Sequence, residues 1–297
     1  MKLATITLFC REGFRLEAWK RYFSEYGNDI ALHVIVNNGD PSDTAMLKAE
    51  FPHSLILEST SPNMMYSYNL ALREILKDPE IDAIGQIVND IRIEPGGLER
   101  LWETLFSREN MFAISPILLK KDSEIIDCFG CEIKRTNYRF VHLDCDKLLS
   151  SVPAEVRLVN GLPAGVFLAK RSFYERLGFQ DESIYMYADE VDMGIRVEEE
   201  GLVMAATSFV KAWHQHQFRE ASAGAHANSS AGYFIGRNSV YIARKYESAL
   251  SVAWVFLYQV FRGIDIWRSA LFHMKRDGSF PYGWAMIRGC FVGLYHK

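Results

Sequence analysis

Cysteine is scarce: the 297 residues hold five, an odd number, so a disulfide framework is excluded as the organising device and a reducing compartment is expected. Charge of one sign is also lacking. The formal net charge is −4, without the basic excess that marks nucleic-acid binding, and no nucleic-acid partner is expected. A hydrophobic fraction of 49% with a mean hydropathy of −0.06 is too polar for a polytopic membrane protein. The apolar run Leu3 to Phe9 is short and gives way to Arg11-Glu12 with no small-residue cleavage pattern. It reads as a first strand and not as a secretory leader. No Gly-x-Gly-x-x-Gly or Walker loop follows that strand, which argues against dinucleotide and P-loop folds. Internal repeats and low-complexity tracts are absent as well.

What remains is enough chain for one large α/β domain with an appendage. Leu3–Phe9, Leu32–Val36, Ser54–Leu57 and Ala83–Val88 are strand-like, and Leu16–Tyr26 and Tyr66–Leu76 have helical spacing between them. That alternation predicts a mostly parallel sheet in a nucleotide-binding style of half-domain. Further strands are expected at Phe112–Pro116, Glu124–Ile133 and Tyr138–Leu143, then a segment Asn160–Arg171 and a short helix ending at Gly178. Charge is unevenly spread. From Arg237 to Lys297 nine Lys and Arg face three acids, a net of +6, which leaves −10 for the rest.

Two stretches carry chemistry. Tyr185 to Arg196 sets Asp189, Glu190 and Asp192 within two helical turns, a crowding of negative charge relieved by a metal, a cation or a proton-transfer task. The plainer alternatives are helix caps and an Asp192–Arg196 ion pair at four-residue spacing. Upstream, the strand Ala83–Val88 runs straight into Asn89-Asp90-Ile91 and leaves through Glu94-Pro95-Gly96-Gly97. Ligands of open α/β sheets bind at such carboxyl ends of strands, so Asp90 is a candidate metal or phosphate-proximal group. Cys128-Phe-Gly-Cys131 has zinc or redox spacing, but with no second pair it reads as structural cysteines in a strand.

Four segments between about residues 3 and 245 resemble the inverting family 2 glycosyltransferases of GT-A fold, especially rhamnosyltransferase-like and galactofuranosyltransferase-like members. Val34-Ile-Val-Asn-Asn-Gly39 resembles the second strand ending in Asp-Asn-Gly-Ser, and Ile87–Ile91 the strand leading to the Asp-x-Asp metal motif. Ala164–Arg171 with Leu177–Glu182 resembles the Gly-Ala segment and the Gly-Gly-Phe-Asp-Glu turn. Tyr187–Asp192 with Arg196 resembles the Tyr-x-Glu-Asp-x-Asp block, the most specific match of the four. The departures are Asn37 in place of an aspartate, Asp90 as the sole carboxylate of the metal motif, and Asp-Glu in place of Glu-Asp.

The resemblance implies a GT-A type nucleotide-sugar-binding α/β fold, mostly parallel in its central sheet, flanked by helices and followed by a C-terminal helical appendage. Residues 1–232 would form the catalytic domain and 233–297 the basic, aromatic helical region. It implies transfer of a sugar from a nucleotide-sugar donor to a glycan or lipid-linked acceptor in cell-envelope polysaccharide biosynthesis. Inverting transfer needs a base for the acceptor hydroxyl and charge relief for the leaving diphosphate. Glu190 is the expected base and Asp189 the runner-up, with Asp192 and Arg196 holding the pair in place. Asn37, Asn69, Asn89 and Asp90 are expected on the donor, with Mg²⁺ or Mn²⁺ at Asp90. By the same resemblance His214, or less readily His216, completes the metal site; a separate zinc site of His214, His216 and His226 lacks a recognisable spacing. The acidic block and Asp90 are expected to converge on one cleft.

Tyr233–Tyr246 resembles the family's Arg-Asn helix, and Trp254, Trp267 and Trp284 follow it. The uncharged stretch between Glu247 and Arg262 is shorter than the ~20 residues of a membrane span, so the tail is expected to lie on anionic lipid at the cytoplasmic face of the cell membrane. Packing on the core, or a dimer interface in a homo-oligomer, is the alternative. A chain ending near Tyr246 is expected to stay folded. A nucleotidyltransferase, for which Cys10-Arg11-Glu12-Gly13 is a poor loop, and a non-catalytic sugar-binding scaffold are the other readings.

Overall fold

The computed structural model describes residues 1–215, 221–272 and 279–296. In chain order the elements are β1 (Leu3–Phe9), α1 (Leu16–Tyr26), β2 (Leu32–Asn37), α2 (Asp43–Glu50), β3 (Leu55–Glu58), α3 (Met64–Ile75), β4 (Ala83–Ile87), β5 (Ile91–Ile93), α4 (Gly97–Phe106) and β6 (Met111–Lys120). There follow β7 (Ile126–Cys128), β8 (Cys131–Lys134), β9 (Arg139–His142), β10 (Val156–Val159), β11 (Val166–Lys170), α5 (Arg171–Leu177), α6 (Asp189–Glu199), β12 (Val203–His214), α7 (Ala221–Tyr246), α8 (Ala249–Phe272) and α9 (Ser279–Gly293). Two compact units result: residues 1–132, 141–182 and 193–216, and residues 133–140, 183–192 and 217–297.

The first unit is built on one sheet with strand order β10-β12-β6-β11-β4-β1-β2-β3, to which β5 and β7 add at β12 and β6. β3, β2, β1 and β4 are parallel, and β12 runs parallel to β6. β1 and β4 are buried along their whole length, as expected of parallel strands covered on both faces. Beneath β1 and β2, Trp19 packs against Phe9, Ile35, Leu47 and Phe51. β4 is the central strand, and its Gly85 is dictated by space: a side-chain carbon there would meet Leu168 of β11 at 2.7 Å.

Two sequence boundaries shift for local reasons. The strand expected to end at Pro116 runs on to Lys120, because the proline sits at an irregularity of the β6–β12 pairing, where a missing N–H costs least. The strand expected over Glu124–Ile133 is two, β7 and β8, broken at Gly130, whose φ of +76° is left-handed. β8 and β9 then pair as a separate two-stranded sheet.

The second unit is a helical bundle with its own core of Val240, Met286 and Cys290, packed by Ile235, Val252, Phe256 and Val260. α7 and α9 approach through two Gly-x-x-x-Gly pairs, Gly232/Gly236 and Gly289/Gly293. A side-chain carbon at Gly236 would strike the Met286 carbonyl, and one at Gly289 the Tyr233 carbonyl. This corrects the truncation expectation: ending the chain near Tyr246 strips α9 from the buried face of α7. α8 is one helix that carries the uncharged stretch on past Arg262, and its Ala249–Ser269, 21 residues including Arg262, Asp265 and Arg268, passes a length-and-composition test for a membrane span.

Candidate active site

In the first unit the polypeptide turns sharply after β4. Ile91 donates its N–H to the Val88 carbonyl, and β5 then pairs antiparallel with β12 so that Ile91 lies opposite His214. The Gln215 N–H bonds the Asp90 carbonyl at 2.8 Å. This register brings the side chains together: His214 Nε2 lies 3.7 Å from Asp90 Oδ2, while His214 Nδ1 is 2.9 Å from Asp127 Oδ2 of β7. Asp90 is 7% exposed and also receives Arg15 Nη1 at 2.7 Å. Asn89 donates to Glu12 and accepts, at 3.5 Å, from the same Arg15.

Burial opposes a charged imidazole, but the hydrogen bond His214 makes to Asp127 and the neighbouring Asp90 carboxylate outweigh it and push His214 up to about 9. The hydrogen bond from His214 in turn lowers Asp127. With Nδ1 held by Asp127, Nε2 faces Asp90, the arrangement by which a second carboxylate orients a metal-ligating histidine. An Asp oxygen and an imidazole nitrogen form a donor set that suits Mn²⁺ or Mg²⁺ completed by waters and phosphate oxygens. Arg15 and protonated His214 supply the positive charge here, and a metal would displace the proton. Glu12, Arg15 and Asp127 were not flagged by the sequence. Arg11-Glu12-Gly13 after the first strand was the available signal for the first two; Asp127 had none beyond its neighbouring cysteine.

Asn37 and Asn69, expected on the donor, spend their side chains elsewhere. Asn37 is buried at the end of β2, donating to the Asp40 carbonyl and Thr44 Oγ1 and accepting from the Gly39 N–H, so it shapes the loop into α2. Asn69 of α3 donates to the Gln180 carbonyl and Glu182 and accepts from the Gln180 N–H. It ties down the turn after Gly178, which Arg196 holds through the carbonyls of Leu177 and Phe179. His216 lies outside the described residues, and the side chain of His226 is not described.

In the second unit, Asp189 and Glu190 open α6 after a contorted loop. Tyr185, Tyr187 and Ala188 all have φ between +61° and +65°, a left-handed conformation costly for residues with a side chain. α7 enforces it. Asn238 Nδ2 lies within 3.0 Å of the carbonyls of Ile184, Met186 and Tyr187, and Arg237 Nη2 within 3.0 Å of those of Ser183 and Ile184. Tyr185 stacks on Phe234 at 4.9 Å. Asp192 is fully buried and bonded by Lys245 and Tyr246, each at 2.8 Å.

Glu190 lines a pocket of about 210 Å³ with Tyr138, Phe140, Tyr187, Ser239 and Arg262. Burial, then the neighbouring Asp189 charge, raise Glu190 well above the usual carboxylate range, and burial raises Asp189 to about 6. Strained backbone holding two carboxylates with raised proton affinity makes the pair a candidate functional site in preference to plain helix caps.

No protein-family model and no curated protein matches the chain. Solved structures do: a crystal structure of GalNAc-T7 with UDP, GalNAc and Mn²⁺ superposes with a TM-score of 0.57 at 9% identity, covering 73% of this chain and 44% of that one. The fold is of the GT-A glycosyltransferase type. The chain therefore spans less than half of that solved protein, and at this identity the likeness concerns the GT-A fold alone.

Proposed function

We propose that this GT-A chain transfers a sugar from a nucleotide-sugar donor to a hydroxyl of a glycan or lipid-linked acceptor, with inversion and metal assistance. The observation that carries the reading is the raised Asp189–Glu190 pair, set by a strained loop at the edge of a pocket. A carboxylate of high proton affinity is what a base needs to take a hydroxyl proton near neutral pH. Glu190 Oε accepts the proton of the attacking acceptor hydroxyl as the bond from the anomeric carbon to the diphosphate breaks. Asp189 keeps the pair's proton affinity high, and Asp192, neutralised by Lys245, anchors the helix start.

Charge gathers on the leaving diphosphate at the same time. Asp90 and His214 would hold Mg²⁺ or Mn²⁺, which supplies that charge relief when bound. Asp127 orients His214, Asn89 lies beside Asp90 toward the donor, and Arg15 offers a fixed cation next to both. A GT-A neighbour solved with UDP, a sugar and Mn²⁺ supports the donor class and the divalent metal.

The tail is assigned to a membrane surface, at the cytoplasmic face where a lipid-linked acceptor is presented. Leu250, Trp254, Leu257, Phe261 and Ile264 recur at four- and three-residue spacing along α8 and are all exposed, Leu250 by 84% and Phe261 by 66%. One face of an otherwise packed helix is thus apolar and open, in a region of net charge +6. The test of the activity is a panel of nucleotide sugars with Mn²⁺, read as nucleoside diphosphate release. Release with at least one donor, abolished by chelator and restored by Mn²⁺, is expected; a folded chain that releases none is a scaffold.

A further inference from the structure

The first unit gathers a second set of metal-binding side chains, with ligand atoms distinct from those of the Asp90 cluster although Asp127 precedes Cys128 on β7. Cys128 closes β7, Cys131 opens β8 and His142 closes β9. The turn at Gly130 folds the two cysteines toward each other, and the pairing of β8 with β9 brings the last residue of one strand beside the first of the other. The result is a three-donor constellation. The two Sγ atoms are 3.3 Å apart, and one ligand atom from each of the three residues lies within 4.8 Å of the others.

That geometry is near what zinc needs. Zn–S bonds of about 2.3 Å and Zn–N bonds of about 2.0–2.1 Å put tetrahedral ligand atoms roughly 3.5–3.8 Å apart. The sulfurs, 3.3 Å apart, would separate slightly and the imidazole nitrogen, within 4.8 Å of both, would close by at most about an ångström. The cysteines are not joined by a disulfide and are wholly buried, whereas His142 is exposed. Burying two thiols side by side gains little by itself, since a thiol is a weak donor and a weak acceptor. Cys128 Sγ donates to the Gly130 carbonyl at 3.2 Å and lies 3.3 Å from Cys131 Sγ, weak thiol contacts that thiolate–metal bonds would replace.

We propose that Cys128, Cys131 and His142 bind one Zn²⁺, with the fourth position open on the exposed side of His142. Both thiols lose their protons to solvent as the two Zn–S bonds form, and neutral imidazole supplies the third bond, so the site carries no net charge. The ion staples β7 to the β8–β9 hairpin, where β7 meets the edge of the sheet through few pairings. This revises the reading of Cys128 and Cys131 as inert strand cysteines. His142, eleven residues beyond the second cysteine, is the ligand that spacing alone did not reveal.

The full chain, kept reduced and free of chelator, is loaded with ZnCl₂ and dialysed, and zinc per chain is measured by mass spectrometry of the metal. A parallel sample takes Co²⁺, whose thiolate charge-transfer band reports sulfur ligation. One retained zinc and a thiolate–cobalt band are expected, with zinc affinity falling at least about tenfold in His142→Ala, a substitution at an exposed position. Cys131→Ser should weaken or erase the band, while Asp90→Asn leaves both zinc and band unchanged. The proposal is overturned if reduced wild-type chain keeps no zinc and shows no band. Zinc lost only in Asp90→Asn, or an intact mass two hydrogens lighter in chain never exposed to oxidant, overturns it equally.

Discussion

Asn238 makes the contorted loop before α6 affordable, and its removal is the sharpest structural perturbation available. One amide with two hydrogens serves three carbonyls, so at most two full hydrogen bonds exist at once, worth about 0.5–1.5 kcal/mol each. Ile184 keeps its bond from Arg237, so the loss falls on the part-buried carbonyls of Met186 and Tyr187 and adds about 1 kcal/mol. Against this stand three left-handed residues at about 1–2 kcal/mol each, strain that the loop sheds if the clamp is cut. Asn238→Ala should therefore destabilise by about 2–4 kcal/mol in urea unfolding, or less if the loop relaxes first, in which case nucleoside diphosphate release collapses because Asp189 and Glu190 move. Asn238→Asp should be no better despite its shape, since it aims carboxylate oxygens at carbonyl oxygens. A change within about 0.5 kcal/mol together with undiminished release would refute the clamp.

Asp127→Ala should leave the fold intact and weaken Mn²⁺ binding about 10–100-fold, read by titrating Mn²⁺ against nucleoside diphosphate release, because His214 loses the bond that fixes its ring. The acid limb of the pH–rate profile should fall near 6 or above rather than near 4, since the base form requires the pair ionised, and Asp189→Asn should move that limb to lower pH by removing the like charge. The folded-state values lie above the unfolded ones, so the pair's contribution to stability is full below about pH 4 and is lost as pH rises through 6; Glu190→Gln should raise the melting temperature at neutral pH. Trp254→Ser with Phe261→Ser should cut sedimentation with anionic vesicles several-fold without changing the circular dichroism, and wild-type binding should weaken with salt.

The first half of the fold was legible because its parallel strands are short, uninterrupted apolar runs, a pattern burial on both faces enforces. α2, α4 and β10 were not anticipated: α2 is weakly amphipathic, whereas α4, with Leu98, Leu101 and Leu105 on one buried face, had a helical pattern that the Pro95-Gly96-Gly97 turn signal obscured. The glycines that seat α9 on α7 are spaced like membrane contacts, and nothing in a single sequence says which helix they face. At the site, charge was legible and geometry was not. Asp90 and His214 stand 124 positions apart, and only the β5–β12 pairing joins them. Asn37 and Asn69 looked like donor contacts because a polar residue at a strand end or in a buried helix carries no label saying whether its amide serves the loop or a ligand. The Arg237-Asn238 pair was visible as a motif, but its task of holding carbonyls in a left-handed loop depends on a backbone conformation that no residue in Tyr185–Ala188 favours.

The central claim is that base and metal are separate tasks performed by separate residues. The most direct measurement is nucleoside diphosphate release by wild type, Glu190→Gln and Asp90→Asn over a matrix of donor and Mn²⁺ concentrations, with donor affinity measured in parallel. Glu190→Gln should lower kcat by about 10²–10⁴ with donor affinity nearly unchanged. Asp90→Asn should instead raise the Mn²⁺ and donor concentrations needed for half-maximal rate. Near-normal turnover in Glu190→Gln, or donor binding by Asp90→Asn with the wild-type metal dependence, would contradict the account.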